Sequence, residues 1–452
     1  MSKSNFNLSS DFVLKVLSVF LIFTAAFFLF YFIFSSSHWV FYIGAILFFI
    51  GAVIFLVYPY YIIFVFLILL PYFFLIHQFK SIGYVKGPAI MVAGFSIPAL
   101  ISKFKFKIKL SELELFLIMF LIGNAIALLT FNEIGNSFIH FALFMGNVLF
   151  YIIVVTFVNS WEKLKYIIYG IIISYSINAY IAIMQRQSLL TERSVGTMSD
   201  PNVFALTLMI PLVFSILFFF HKKNFIVRLL LFASIIVLTM GIVVTVSRSA
   251  LITLFLVVFL IFLQKKKLHL FILITAPIII FFFYLKPEWL TMGYKAEELM
   301  SVGRMMSVRM RWELLMGGIK MFIEHPLIGV GPGNFIYMVH LYDVPYKLFA
   351  HNTYLEIITG SGLVGFVPFM AVIMLSLKNY YKVYKFWKGR DYTKMTITLA
   401  LFISFVAYLF DILFLSMPHS SLLWGLIGFS TVILKLTIKE FHQNGKNRNR
   451  TG

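Results

Sequence analysis

The sequence predicts an all-α polytopic membrane protein with twelve to fourteen transmembrane helices and one long extracytoplasmic loop that contains short helices. Three observations carry that prediction. Of the 452 residues 61% are hydrophobic and only 12% charged, against roughly 45–50% and about 25% in a soluble domain. Apolar stretches near the ~20 residues that cross a hydrocarbon core recur from Phe12 to Leu436, so the bilayer is the solvent. The basic residues stand in short clusters at the ends of those stretches, the signature of cytoplasmic loops.

Taken in order, the first apolar segment, residues 12–34, is too long for a signal-peptide core and lacks a small-residue cleavage site, so it reads as a retained first helix. Spans follow at 39–57, 60–77, 88–102, 112–130, 140–158 and 165–184, with Pro59 between two that nearly touch and Pro98 breaking the fourth. Further spans fall at 203–220, 225–246, 249–263, 268–285, 361–378, 395–414 and 419–436. The chain thus divides into an N-terminal transmembrane bundle (1–285), the long loop (286–360), C-terminal transmembrane helices (361–436) and a cytoplasmic tail (437–452).

A formal charge of +20 in a soluble chain would suggest nucleic acid. Here the clusters Lys103 to Lys109, Lys222 and Lys223, Lys265 to Lys267, Lys378 to Lys394 and Lys435 to Arg450 read as topology anchors in contact with membrane lipids, with no nucleic-acid partner. Placing them in the cytoplasm leaves three polar segments on the other side: 186–202, the tight turn 247–249 and the long loop. From Lys286 to Gly360 the loop holds seven basic and seven acidic residues, so its arginines are not topology signals and invite a chemical explanation.

The chain has no cysteine, hence no disulfide framework and no thiolate chemistry, and its five aspartates are widely spaced. There is no GxxxxGK[ST], no HExxH and no DxD pair to hold a metal against a nucleotide sugar. Arginines and a histidine outside the membrane suit instead a metal-free reaction on a phosphorylated substrate.

Four constellations stand on that side. In Arg193-Ser-Val-Gly-Thr-Met-Ser-Asp200-Pro201-Asn202 the aspartate suits an N-cap and the proline the first helical position, which sets Arg193 and Asn202 near a positive helix end. An ordinary capped turn would look the same. Thr245-Val-Ser-Arg248-Ser holds an arginine in a turn too short to lift it far from hydrocarbon, either an interfacial anchor or an anion contact. Residues 311–322 read as an amphipathic helix with Arg309 and Arg311 at its start, ending before Pro326 and a glycine-rich turn, with His325 as a helix-end residue. In His351-Asn352-Thr-Tyr-Leu-Glu356 the histidine lies at the water boundary, where an imidazole can act as a general base or simply hydrogen bond.

Together these motifs resemble the O-antigen ligase and polymerase superfamily of bacterial membrane proteins. The resemblance covers the chain from Arg193 to the last helices and rests on order. Arg193, Gly196, Pro201, Asn202 and Ala205 come first, then Ser247-Arg248. Arg311 follows, fifteen residues before Pro326 of a His-Pro-Leu-x-Gly-Val-Gly turn, and then His351-Asn352-x-Tyr354-Leu355 with Gly362, Leu363 and Gly365. Two positions depart from the pattern. Leu315 stands where the family commonly has tryptophan four residues after the arginine, with Trp312 beside Arg311 instead, which keeps Arg309 in competition for the role; Gly360 stands where an acidic residue is usual.

The resemblance implies transfer of a glycan from an undecaprenyl-diphosphate-linked oligosaccharide to an acceptor glycan, outside the bacterial cytoplasmic membrane and without a cofactor. Arg193 and Arg311 would neutralise the diphosphate, His351 would take the acceptor proton, and direct attack would invert the anomeric centre. Arg248, Arg309, Asn202 and Asn352 would bind substrate. Polymerase and ligase share this donor chemistry; richness in Lys, Ile and Phe suggests an AT-rich genome, compatible with a Gram-positive host, and tilts the reading towards a polymerase of surface polysaccharide, with an O-antigen ligase as the alternative. A transporter or flippase for lipid-linked glycans would instead need ionisable groups along a path, for which Asp411, Asn124 and Asn178 are the sparse candidates.

Overall fold

A computed structural model describes residues 60–72, 110–130, 133–188, 193–264 and 298–448, together with 266, 269 and 272. The spans expected at 12–34, 39–57 and 88–102 lie outside these residues, as does that at 268–285 apart from 269 and 272. Within them the chain is all-helical: α1 (Tyr60–Leu69), α2 (Glu112–Ala127), α3 (Ile134–Phe157), α4 (Trp161–Ser188), α5 (Pro201–His221), α6 (Phe225–Val244), α7 (Arg248–Gln264), α8 (Glu298–Glu324), α9 (Phe335–Met338), α10 (Thr353–Trp387), α11 (Tyr392–Asp411) and α12 (Ser421–Arg448). Eight helices among the described residues, namely α2 to α6 and α10 to α12, are long and apolar enough to cross a membrane.

Local signals set their ends. Ser111 and Glu114 form a reciprocal capping box at α2, Asn224 caps α6 and Asp391 caps α11. α5 is the central helix, with most of its surface buried against α4, α6 and α11. α2 lies along α10 so closely that a Cβ on Gly123 would meet the Val364 carbonyl at 2.6 Å, the small-residue packing by which helices associate in lipid.

The span expected at 361–378 starts where the structure breaks its helix: α10 is two helices run together across a kink at Gly362, with residues 353–361 forming a helical stretch ahead of the expected span. The break frees backbone groups, and the turn after α8 takes them up. Leu363 and Val364 donate to the carbonyls of Pro326 and Leu327 at 2.9 and 3.1 Å, while Val330 and Gly331 donate to those of Thr359 and Gly360 at 2.9 Å each. Such close backbone contact needs glycine on both sides, at Gly329 (φ 71°) and Gly362 (φ 57°). The two glycine motifs of the sequence are therefore the two halves of one junction. A side chain at Gly360 would come close to Pro332, whose Cα lies 3.3 Å from the Cβ position.

The loop builds a second core of its own. Leu314 and Met321 of α8 pack with Val330, Phe335, Val339, Tyr342, Val344 and Leu355, beside the main core of the spanning helices. The start of α3 holds this cap down, with Asn136 donating to the Gly333 carbonyl at 2.9 Å and Asn334 donating to Ser137 Oγ at 2.9 Å.

Candidate active site

Three of the four constellations start at helix ends, and alternation of the spans brings those ends together. The Arg193 segment is moored twice. Arg193 donates through Nε to the Thr245 carbonyl and through Nη2 to Asn202 Oδ1, both at 2.8 Å, and Ser247 Oγ donates to the same Asn202 oxygen at 2.9 Å. The first and second motifs are thus one hydrogen-bonded unit. Below it Asn178 Oδ1 accepts from the Thr197 N–H at 3.0 Å, and Gln185 donates to the Gly196 carbonyl at 2.7 Å, so the turn is fixed from α4.

Asp200 and Pro201 start α5 as expected, the carboxylate accepting from the Asn202 and Val203 N–H groups at 2.7 and 2.9 Å. This carboxylate also carries charge into the site. Arg311, half-buried on α8, is held below the usual guanidinium range by burial and by Arg248 nearby, with Asp200 pulling the other way. Burial and Arg311 push the His351 imidazole down, and Asp200 again opposes them. Residues 200, 248, 311 and 351, from separate segments of the chain, therefore share one electrostatic neighbourhood.

His351 occupies a left-handed backbone conformation, φ 48°, a strained state that persists only when its surroundings fix it. They do so on both sides. Ala350 N–H donates to Glu356 Oε1 at 3.1 Å, Asn352 Oδ1 caps α10 by accepting from Leu355 N–H at 3.1 Å, and Thr353 N–H donates to the Ile412 carbonyl at 3.0 Å. Thr353 Oγ1 donates to the Leu415 carbonyl at 2.6 Å and accepts from Met417 N–H at 2.9 Å.

Over residues 233–370 the chain matches the O-antigen ligase family model. That match supports the O-antigen ligase and polymerase superfamily for the segment. No curated protein matches the chain. The matched segment contains Arg248, Arg311 and His351, while Arg193 and Asn202 precede it and reach the same neighbourhood through Thr245 and Ser247.

The remaining expected residues sit differently. Arg309 is exposed and paired with Glu313 at 2.8 Å on another side of α8 from Arg311. Asn352 uses its side-chain oxygen as a helix cap. His325 is exposed, its N–H continuing α8 to the Met321 carbonyl at 3.1 Å. Sequence reasoning missed the Glu356 clamp and a narrow cleft behind it, lined by His140, His419, Phe335 and Phe349, where His140 Nδ1 lies 2.8 Å from His419 Nε2. Single histidines 279 positions apart on apolar segments give no signal of a pair.

Proposed function

We propose that the protein is a polymerase of a bacterial surface polysaccharide, transferring glycan from undecaprenyl diphosphate to an acceptor sugar hydroxyl with inversion at the anomeric carbon. The observation that carries this reading is the convergence on Arg311 of Arg248, His351 and Asp200, beside the Arg193–Asn202–Ser247 unit. Bringing guanidinium groups within range of one another is unfavourable, and a diphosphate bound among them would offset the repulsion.

In this reading the acceptor oxygen attacks the anomeric carbon and its proton passes to the His351 imidazole. The bond from that carbon to the diphosphate oxygen breaks, and the departing lipid diphosphate takes the electron pair. Arg193 and Arg311 supply donors to the charge that develops there, with Arg248 holding the lipid-borne phosphate. Burial and Arg311 lower the His351 pKa, which keeps the imidazole neutral and ready to accept a proton at neutral pH. The basic anchors Lys222, Lys223 and Lys265 to Lys267 follow the far ends of α5 and α7, which supports a cytoplasmic side there and a site on the outer side of the membrane.

Ligation to a different acceptor uses the same donor steps. Of the transport candidates, Asn124 donates to the Phe120 carbonyl of its own helix at 2.8 Å and Asn178 braces the 193–200 turn, while Asp411 is the last residue of α11, buried beside Ser249 and Thr253. Purified protein given a lipid-diphosphate oligosaccharide, with and without a second acceptor and with chelator present, separates the readings. A ladder of lengthened lipid-linked glycans from the donor alone is expected. Product only when a second acceptor is added would make it a ligase, and a requirement for added divalent metal would count against the arginine mechanism.

A further inference from the structure

The helix that carries Arg311 is apolar on two opposite faces. Its inward face, Leu314 and Met321 with Gly317 and Gly318, packs on the loop core and on Leu355 of α10. On the outward face stand Trp312, Met316, Ile319 and Ile323, spaced by four, three and four residues and so aligned in one stripe along the helix. Each is between 37% and 67% exposed, and the stripe runs on around the helix end into Leu327 at 64%. In water such a patch would be an association hazard.

The junction with α10 gives the depth at which the stripe lies. The turn that ends α8 is hydrogen bonded to Leu363 and Val364. From Leu363 to Trp387 the helix rises through 24 steps (387 − 363), which at about 1.5 Å each is ~36 Å, a little more than the ~30 Å hydrocarbon core. Leu363, Val364 and Val367 are themselves exposed apolar residues on a spanning helix. The stripe therefore continues the lipid-facing surface of α10 at the boundary between hydrocarbon and headgroups.

We infer that α8 lies in the membrane interface, with Trp312, Met316, Ile319 and Ile323 inserted among the lipid chains of the leaflet on the active-site side. The borders of the stripe fit this placement. Arg309 and Lys320 flank it on one side, paired with Glu313 and Asp343 at 2.8 Å each, and Arg311 lies towards the other. An interfacial helix has this form, an apolar face in the acyl boundary and charged residues along its edges. Insertion stands independently of the catalytic reading. Resting on that reading, it adds that Arg311 meets the lipid-borne diphosphate at headgroup depth.

The chain has no cysteine, so Ile319→Cys, Ile323→Cys and Lys320→Cys each accept a single nitroxide label without other changes. The full-length labelled proteins, checked for wild-type thermal melts in detergent, are reconstituted in phosphatidylethanolamine and phosphatidylglycerol vesicles, and electron paramagnetic resonance reads collision with oxygen and with a water-soluble nickel chelate. The expected result is an oxygen-to-nickel ratio several-fold higher at 319 and 323 than at 320. Equal ratios at all three would place the stripe in water and overturn the inference. Low accessibility to both reagents at 319 and 323, with or without dipolar broadening from a second copy, would mean that protein covers the stripe and would overturn it equally.

Discussion

Two neighbours of opposite sign act on the His351 imidazole, together with its burial. Burial and Arg311 lower its pKa while Asp200 raises it, so the neutral imidazole, the form that accepts a proton, persists below the ordinary value of about 6.5. The acid limb of the pH–rate profile is expected below that value. Asp200→Asn keeps a capping oxygen on α5 but removes the charge that holds the imidazole up, so the limb should move to lower pH; a shift to higher pH in the profile of the purified variant would contradict the electrostatic account. Arg309 and Arg311 separate at the same scale. Two positions apart on a helix, they leave it in widely different directions, and Arg309 is exposed on Glu313. Transfer rates should stay near wild type in Arg309→Gln and collapse in Arg311→Gln. The sequence offered both because direction depends on which face of α8 is buried, and that is decided by Val339, Val344 and Leu355, which are distant in sequence. Asp200 was legible as a cap; its charge in the site depends on residues 311 and 351 folding back over it.

At the scale of the element, the junction between α10 and the turn after α8 explains why two glycine motifs travel in one chain. A Cβ on Gly362 would lie 2.2 Å from the Leu327 carbonyl oxygen, and one on Gly329 2.4 Å from that of Thr359. Gly389, at φ 80° with nothing within 4 Å of its Cβ position, isolates the backbone cost alone, about 1–2 kcal/mol for a left-handed residue. Thermal melts in detergent should therefore show Gly362→Ala losing clearly more stability than Gly389→Ala; equal losses would mean that the junction gives way freely. Hydrophobic runs, with the Asp200 cap at α5, made α2 and α4 to α7 legible to within four residues, while α3 begins at Ile134, six residues before the expected 140. The boundary at Gly360 and Gly362 was legible too; the helical stretch 353–361 before it was not, because the incoming turn that takes up the backbone groups freed at the kink is distant in sequence.

Across the whole molecule, the alternation of spans gathers residues 193–202, 245–248, 311 and 351 at one end, a convergence that charge clusters and motif order foretell without fixing distances. The His140–His419 cleft shows the limit of such reading, since its two rings meet only after α3 and the segment before α12 have packed. Burial and His140 hold His419 well below the ordinary imidazole range, so it stays neutral. The central claim is that one outer cluster, Arg193, Arg248, Arg311 and His351, performs glycosyl transfer from a lipid diphosphate. Its most direct test is the single-turnover rate of purified wild type, His351→Ala and Arg311→Ala on a lipid-diphosphate oligosaccharide, reading glycan transferred and lipid diphosphate released in the same samples. The account predicts one-to-one stoichiometry in the wild type and a loss of about 10²-fold or more in the His351 variant, the usual share of a general base, with a comparable collapse for Arg311. A His351→Ala protein that inserts in the membrane and transfers glycan at the wild-type rate would contradict it.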